Sequence, residues 1–327
     1  MNPAVSIIIP VYNASGYLNR CLDSALTQSI DDIELICVND KSTDNSLDIL
    51  FEYASKNPER ITVINNSSNI GGGRSREKAL KTARGTYITF LDSDDYLAPD
   101  FIETYLRVIQ NENVDVVIGG FVKDYGDRII KIPAPRGPWS LTTYSISCAK
   151  MYRKDFLLEN DIQYSPIKCG EDIYFGLDLF YHGASYRTID YNGYYYYFNE
   201  SSTTNSMTAN QGMERNVSSI FSHFISNHNL EALSEADRDV IEYTYLANMI
   251  NALLVYDRGC GLRSMREKVD FFFSDLATLF PNFKNNRFVG LTKPCGQSAK
   301  IRLAVGIVLR LHKVHLDRPL YYFVSLL

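Results

Sequence analysis

The chain has 327 residues, long enough for two domains or for one large domain with an extension. Hydrophobic residues make up 45% and charged residues 22%, a composition that excludes disordered and fibrous proteins, and the net charge of −5 gives no indication of nucleic-acid binding. The charge is uneven, because residues 284–318 contain eight Lys or Arg and one acidic residue, Asp317. This segment carries +7 and the rest of the chain −12.

The cysteines and the apolar runs indicate a cellular location. Six cysteines are scattered without a C-x-x-C pair, and the first residues lack the charged start and apolar core of a secretion signal. Both features predict reduced thiols and a cytoplasmic protein. The longest apolar run near the end, Leu303–Leu309, is far shorter than the roughly 20 residues that span a bilayer. We therefore expect a soluble or peripheral protein.

Strands and helices alternate through the first 120 residues. Apolar, β-branched runs predict strands, and apolar residues at helical spacing predict helices between them. Such alternation is typical of a mostly parallel sheet covered by helices on both faces, an α/β fold. The predicted strands are 5–9, 34–38, 61–64, 87–91 and 114–118, and the predicted helices are 17–27, 46–55, 75–83 and 101–110.

The pattern changes after Gly120. Residues 121–132 resemble a hairpin, 133–138 a Pro-rich loop, and 194–198 an aromatic strand. A helix is predicted over 172–182. From Met213 onward the chain is predicted to be helical, with segments at 213–226, 236–256 and 264–279. The chain is thus predicted to carry a helical C-terminal extension.

Acidic residues follow the fourth predicted strand, in the sequence Asp92-Ser93-Asp94-Asp95. Three carboxylates this close repel one another, and a divalent cation would offset the repulsion. Carboxylate oxygens suit Mg²⁺ or Mn²⁺, which proteins usually bind together with substrate phosphates. An Asp-rich turn that caps the helix after Pro99 is an equal alternative from these four residues alone.

A glycine-rich loop, Gly71-Gly72-Gly73, follows the third predicted strand. Backbone N–H groups without side chains can approach a ligand closely, and Arg74 and Arg76 could contact a phosphate. The loop is neither a P-loop nor a dinucleotide fingerprint, because no Gly-Lys-Ser/Thr follows it and it comes after the wrong strand. Taken alone, the loop fits a plain flexible loop better than a ligand-binding one. Gly170-Glu171-Asp172 similarly fits an ordinary helix N-terminus when taken alone.

Taken together, these segments resemble the inverting family 2 glycosyltransferases of the bacterial surface-polysaccharide type, which have the GT-A fold. The resemblance covers five motifs in order over residues 5–175 and does not include the last third of the chain. It rests on Val5-Ser-Ile-Ile-Ile-Pro-Val-Tyr-Asn13, Val38-Asn-Asp-Lys-Ser-Thr-Asp44, Asn69-x-Gly71 with Arg76, Asp92-Ser-Asp-Asp95, and Gly170-Glu-Asp-x-x-Phe175.

The resemblance implies a Rossmann-like, mostly parallel sheet and a nucleotide-sugar donor, for which we expect UDP. It implies that Pro10, Tyr12 and Asp40 bind the nucleobase and that Asp92 lies at the ribose. Asp94, with Asp92, would ligate Mn²⁺ or Mg²⁺ at the diphosphate, and Asp172 would be the general base with Glu171 beside it. The remaining expected substrate-binding residues are Asn13, Asn69, Gly71, Arg76 and Ser93.

The sequence departs from the family in ways that bear on function. Many relatives have the pattern Ala-Arg-Asn-x-Gly, of which this chain retains only Arg76. Relatives also often have an arginine shortly before a Ser/Thr-rich stretch; here the stretch is Ser201–Thr204, and Phe198 occupies the position of the arginine. No Gln-x-x-Arg-Trp segment occurs, which argues for addition of single sugars over processive synthesis. The expected domains are a nucleotide half (1–98), an acceptor half (99–206) and a helical region (207–327).

Two other functions remain open. A sugar nucleotidyltransferase also uses a metal and a parallel sheet, but it would need a cation-bearing loop after the first strand, and 12–16 has none. A catalytically inactive nucleotide-sugar-binding or scaffolding subunit would retain the fold without the reaction. Intact Asp92, Asp94 and Asp172 argue against that alternative.

The C-terminal segment Lys300–Lys313 combines cations with an apolar stripe and is followed by Tyr321-Tyr322-Phe323. Such a segment suits an anionic inner-leaflet surface, which would fit a lipid-linked glycan acceptor. Packing on the catalytic domain or on a second subunit, as in a homodimer, is the alternative. Trp139 could line the acceptor site or fill the core, and the run Tyr194–Tyr197 is expected to serve strand packing.

Overall fold

The computed structural model of the protein describes residues 2–167, 170–199, 212–257 and 259–326. The chain divides into two compact units. The first comprises Met1–Ala134, Ile146–Pro166 and Asp178–Asn199, and the second comprises Pro135–Ser145, Ile167–Leu177 and Glu200–Leu327. Among the helices in these described ranges, none combines the length and the apolar character that crossing a bilayer requires.

The first unit contains the strands. In chain order the described strands are β1 (Val5–Val11), β2 (Ile33–Asn39), β3 (Ile61–Asn65), β4 (Tyr87–Phe90), β5 (Tyr96–Leu97), β6 (Val116–Ile118), β7 (Phe121–Asp124), β8 (Ile129–Ile132), β9 (Lys150–Arg153), β10 (Tyr186–Thr188) and β11 (Tyr194–Tyr197).

The helices are divided between the units. The described α-helices are α1 (Leu18–Leu26), α2 (Ser46–Lys56), α3 (Gly72–Leu80), α4 (Phe101–Glu112), α5 (Trp139–Thr142), α6 (Lys154–Glu159), α7 (Glu171–Tyr181), α8 (Met213–Asn227), α9 (Glu235–Asn251), α10 (Leu262–Leu279), α11 (Ala299–Lys313) and α12 (Arg318–Leu326). Of these, α5 and α8 to α12 belong to the second unit, and α7 begins in it.

Seven strands form a mixed, mostly parallel sheet in the order β10-β6-β9-β4-β1-β2-β3. The central strand β1 pairs in parallel with β2 and β4, and β2 pairs in parallel with β3. Ile8 lies opposite Ile36 and Phe90, and all three side chains are buried. Strands buried on both faces are continuous apolar runs, which explains why the sequence signal for them is clear. The α/β, GT-A-type architecture expected from the sequence is confirmed.

Strand β9 was not predicted from the sequence. It lies between β4 and β6 and is antiparallel to both. Its first residue, Lys150, is buried, and the Lys150 ammonium donates a hydrogen bond to the Ile146 carbonyl at 2.6 Å. Strand β9 begins with a lysine and pairs with strands that are distant in sequence. Its residues therefore show no local apolar–polar alternation from which a strand could be predicted.

A four-stranded sheet, in the order β5-β11-β7-β8, completes the first unit. The hairpin expected in residues 121–132 is confirmed: β7 and β8 are antiparallel, and the Tyr125 N–H donates to the Arg128 carbonyl at 2.9 Å. The aromatic strand is confirmed as β11, which pairs with β5 and β7. Its last predicted residue, Phe198, follows the strand and packs its ring on Tyr125.

Helix α3 begins at Gly72, three residues before the predicted start at Ser75. Gly71, with φ of +91°, lies just ahead of it in a backbone region that favours glycine. Gly72 and Gly73 form the first turn, and glycine's low helix propensity conceals that turn in the sequence. The glycine-rich loop is therefore shorter than predicted.

From Met213 onward the described part of the second unit is mostly helical, as predicted, but residues 286–298 form no helix. The predicted segment 236–256 consists of α9 followed by a π-helical turn, Ala252–Tyr256. Trp139 is 1% exposed, its ring packs on Tyr243 and Phe288, and its indole N–H donates to the Cys295 carbonyl at 2.9 Å. The tryptophan thus fills the core of this unit.

Candidate active site

Polar side chains of the first unit follow the ends of β1, β2 and β4. Because β1 to β4 are mutually parallel, their carboxyl ends lie at one edge of the sheet, which is where open α/β sheets bind ligands. Tyr12, directly after β1, is 52% exposed, and Pro10 is half-buried. An exposed aromatic ring at this edge is available to stack on a flat ligand.

The loops after β1 and β2 are joined by hydrogen bonds between polar side chains and the backbone. The Asn13 side-chain oxygen accepts from the Thr43 N–H at 2.7 Å, and the Asn13 N–H donates to Ser42 Oγ at 3.1 Å. Asp44 accepts from the Ser15 and Ser46 N–H groups at 2.9 and 3.0 Å. Burial opposes ionisation of Asp44, but these hydrogen bonds outweigh it and lower its pKa to about 2. Asn13 is therefore a residue that holds the two loops together.

Asp40 is buried, and its carboxylate is used to hold the glycine-rich loop. One oxygen accepts from the Ile70 N–H and from the Asn66 side chain, both at 2.9 Å, and the other accepts from the Gly71 N–H at 2.8 Å. Asn69, the preceding loop residue, is exposed. The geometry makes Asp40 a positioning residue for this loop, in addition to the nucleobase contact that the resemblance implies.

Arg76 is buried and forms an ion pair with the Asp92 carboxylate. Its guanidinium also lies over the Tyr164 ring, 5.6 Å from the centroid. Arg74, the other arginine of the loop, is exposed. Of the two cations considered from the sequence, Arg76 is thus the one directed at the acidic cluster.

The cluster of Asp92, Asp94 and Asp95 is crowded and partly buried. Burial and the neighbouring Asp92 raise the pKa of Asp94 to about 6, although Asn199 and Arg20 act in the opposite direction. Burial, Asp92 and Asp94 raise the pKa of Asp95 well above its ordinary value. Burial and the neighbouring carboxylates therefore disfavour the ionised forms of Asp94 and Asp95, and a bound cation would oppose this effect.

Asp95 differs from its neighbours in its surroundings. It is 1% exposed, and its carboxylate accepts from the Tyr194 hydroxyl at 2.5 Å and from the Tyr197 N–H at 2.9 Å. The Tyr194 hydroxyl also accepts from the Asp92 N–H at 3.3 Å. Asp95 thus fixes the turn to β11, whereas Asp92, Ser93 and Asp94 are only half-buried. The carboxylate oxygens of Asp94 and of Asp92, which also pairs with Arg76, are ligands that fit Mg²⁺ or Mn²⁺.

Arg20 is a site residue that the sequence analysis missed. Its guanidinium stacks between two tyrosine rings, 4.5 Å from the centroid of Tyr96 and 4.0 Å from that of Tyr197, and donates to the Asp94 carbonyl at 3.0 Å. A fixed cation therefore lies next to the acidic turn. Arg20 belongs to α1, far from Asp94 in sequence, and no local pattern connects them.

Glu171 and Asp172 form the first turn of α7, in the second unit. Both are half-buried. A carboxylate in the first turn of a helix is favoured in its ionised form by the backbone dipoles. Gly170, with φ of +95°, leads into the helix, and a Cβ there would lie 2.9 Å from Ile220 Cδ1. The Ser201–Thr204 stretch and Cys169 lie outside the described residues.

Comparison with known proteins gives a consistent family assignment. Residues 6–164 match the family described as "Glycosyl transferase family 2". The chain is 34% identical over 202 residues to a poly(ribitol-phosphate) beta-glucosyltransferase of Bacillus spizizenii, a match that covers 58% of this chain and 32% of the relative. It is 32% identical over 226 residues to the uncharacterized glycosyltransferase EpsJ of Bacillus subtilis, covering 62% of this chain and 64% of the relative. The chain thus spans less than two thirds of these relatives.

The fold has a close counterpart among solved structures. The chain is similar to the crystal structure of S. aureus TarS 1-349 in complex with UDP-GlcNAc, with a TM-score of 0.69. The sequence identity is 21%, and the match covers 99% of this chain and 90% of the other. At 21% identity, this similarity establishes that the two proteins share a fold and nothing more.

Proposed function

We propose that this chain, whose residues 6–164 match glycosyltransferase family 2 and whose fold is similar to that of TarS, transfers a single sugar from a nucleotide-diphosphate sugar to a glycan acceptor, with inversion at the anomeric carbon. The observation that carries the proposal is the acidic turn at Asp92–Asp95, which follows β4 at the ligand-binding edge of the sheet and places the Asp92 and Asp94 carboxylates side by side, both half-buried.

The proposed donor is a UDP-hexose, bound by the first unit. Tyr12, Pro10 and Asp40 would contact the uracil base, and Asp92 and Ser93 would lie at the ribose. Asn13, Asn69 and Gly71 would border the nucleotide, and Arg76 would steady the site through its ion pair with Asp92. The structural counterpart solved with UDP-GlcNAc supports UDP as the nucleotide to test first.

Asp94, with Asp92, would hold a divalent cation, Mn²⁺ or Mg²⁺. When bound, such a cation neutralises the diphosphate and the negative charge that develops on it as the sugar departs. The carboxylates supply the hard oxygen ligands that these cations prefer. Burial, and then the neighbouring Asp92, raise the pKa of Asp94, and a bound cation would act in the opposite direction. The Arg20 guanidinium donates a hydrogen bond to the Asp94 carbonyl and so stabilises the conformation of this turn.

Asp172 is proposed as the general base. The acceptor hydroxyl would give its proton to the Asp172 carboxylate while its oxygen forms a bond to the anomeric carbon. The bond from that carbon to the diphosphate oxygen breaks on the opposite face, so UDP leaves and the configuration inverts. Glu171 would orient the acceptor. The position in the first turn of α7 supports an ionised base at neutral pH.

The proposed organisation places the nucleotide in residues 1–98, the acceptor in 99–206, and membrane or partner contacts in 207–327. We expect the acceptor to be a glycan or lipid-linked glycan in surface-polysaccharide synthesis, and the protein to work at the cytoplasmic face of the membrane. The poly(ribitol-phosphate) glucosyltransferase similarity and the basic C-terminal segment support this part of the proposal.

A thermal-shift screen tests the proposal directly. The purified chain is heated with a panel of nucleotide sugars, with Mn²⁺ and with EDTA, and released nucleotide is measured for each donor. We expect UDP-sugars with Mn²⁺ to raise the melting temperature and one of them to be hydrolysed slowly. Stabilisation without any turnover, even with glycan acceptors, would instead favour an inactive binding subunit. No stabilisation by any nucleotide sugar would contradict the proposal.

A further inference from the structure

Helix α12 is apolar on two faces, only one of which is covered. Tyr321 and Val324 are 4% and 6% exposed and pack into the second unit. Tyr322, Phe323 and Leu326 lie on another face, at helical spacing, and are 52%, 60% and 63% exposed. Large apolar side chains that remain in water in one stripe are characteristic of an interaction site.

Helix α11, which precedes α12, also exposes apolar side chains. Val305 and Val308 are 1% exposed, whereas Leu303 and Ile307 on the outward side are each 42% exposed. Val314 and Leu316, between α11 and α12, are 59% and 58% exposed. We refer to the outward side chains of α11, α12 and their connection as the α11–α12 surface.

The charges on the α11–α12 surface are of one sign. Lys300, Arg310, Lys313 and Arg318 are exposed, and none of them forms an ion pair among the described residues. The segment's one acidic residue, Asp317, is buried and accepts from the His312 ring nitrogen at 2.9 Å. Among the described residues of this segment, the exposed charged side chains are therefore all cations, and the exposed carboxylate of Asp270, in α10, borders the segment near Arg318 and Tyr322.

We infer that the α11–α12 surface binds the interface of an anionic lipid bilayer, with Tyr322, Phe323 and Leu326 entering the headgroup layer and the cations contacting lipid phosphates. Apolar side chains flanked by Lys and Arg are the composition of helices that lie in a membrane interface. A symmetric contact with a second copy would bring the same unpaired cations face to face, which disfavours that occupant. The inference does not depend on the proposed transferase activity.

Flotation with vesicles tests the inference on the full chain. The wild type is mixed with phosphatidylcholine vesicles, with or without phosphatidylglycerol, and compared with a charge variant, K300Q/R310Q/K313Q, and an apolar variant, Y322S/F323S/L326S. A matched control, K81Q/R107Q/K131Q, removes three exposed cations from the first unit. The melting temperature and the circular-dichroism spectrum of each variant report whether it is folded.

We expect the wild type and the control to float with the anionic vesicles only, and flotation to fall as salt is added. Both α11–α12 variants should remain at the bottom of the gradient while still melting cooperatively. A wild type that does not float, or variants that float as well as it does, would overturn the inference. Light scattering provides a second test. If the wild type forms a dimer that the apolar variant does not form, and neither the wild type nor any variant binds vesicles, the inference is also overturned.

Discussion

The carboxylate of Asp40 accepts a hydrogen bond from the backbone N–H of Gly71 at 2.8 Å, and so joins the end of β2 to the start of α3. The same carboxylate accepts from Ile70 and Asn66. A buried carboxylate with three donors is a fixed element of the site. It holds the glycine-rich loop where the proposed nucleotide would lie.

Replacing Asp40 with alanine should therefore loosen this loop. The Ile70 and Gly71 N–H groups would lose their acceptor, and we expect a loss of about 1–3 kcal/mol in the free energy of unfolding and weaker UDP binding. Chemical denaturation and calorimetric titration with UDP measure the two effects. Asp48→Ala, on the exposed side of α2, is the control. An Asp40→Ala protein as stable as this control would contradict the assigned role.

Arg20 should matter for the metal-dependent step although it lies outside every sequence motif. Arg20→Met removes the donor to the Asp94 carbonyl and the cation between Tyr96 and Tyr197. We expect UDP affinity in Mn²⁺ to fall about tenfold, consistent with the loss of one charged hydrogen bond. Arg20→Lys should recover part of it, because lysine keeps the charge but not the planar stack.

Calorimetry with both Arg20 variants distinguishes positioning from general destabilisation. Arg107→Met, on the exposed side of α4, serves as the matched control. If Arg20→Met binds UDP as tightly as that control in Mn²⁺, the arginine has no part in shaping the acidic turn.

Asp172→Asn should separate donor binding from transfer. The substitution keeps the size of the side chain but removes the base, so transfer should fall by about 10²–10⁴-fold while UDP binding is retained. Product formation with a radiolabelled donor and calorimetric titration measure the two quantities. Glu171→Gln, its neighbour, should lose less activity. Turnover by Asp172→Asn close to that of the wild type would exclude it as the base.

Glu242 in α9 should make the second unit less stable as the pH rises. It is buried and accepts from the Asn286 side chain at 2.8 Å; burial, with Asp239 nearby, raises its pKa to about 7. The folded state therefore retains a proton that the unfolded state releases near pH 4.5. Stability falls between about pH 4.5 and 7 and stays low above that range.

Glu242→Gln is neutral at every pH and should escape this loss. At pH 8 we expect it to melt above the wild type, by a free energy on the order of 1 kcal/mol, and at pH 4.5 to melt close to it. Melting curves at both pH values measure the difference in stability between Glu242→Gln and the wild type. Glu159→Gln, an exposed glutamate, should show no such difference. A Glu242→Gln protein less stable than wild type at pH 8 would contradict the assignment.

The sequence was most informative where structure follows from local pattern. Buried apolar runs such as Ile7-Ile8-Ile9 predicted β1 and its parallel neighbours, and the acidic turn at Asp92–Asp95 was found from residue type alone. The glycine-rich loop was recognised too, although Gly72 and Gly73 belong to the helix that follows.

Features that depend on distant partners could not be predicted in this way. Strand β9 exists because β4 and β6 flank it, and Arg20 meets Asp94 only after α1 has packed near β5. For Trp139 the sequence allowed two environments, and contacts with Tyr243 and Phe288 establish the core position. Tertiary packing, which has no signature in neighbouring residues, determines all three.

The most direct test of whether Asp94 ligates a cation that binds the nucleotide is calorimetric titration of UDP into the wild type and Asp94→Asn, each with Mn²⁺ and with EDTA. We predict that the wild type binds UDP in Mn²⁺, that EDTA reverses this binding, and that Asp94→Asn shows no metal-dependent binding. Equal UDP affinity for both proteins in Mn²⁺, or an affinity of the wild type that EDTA leaves unchanged, would contradict it.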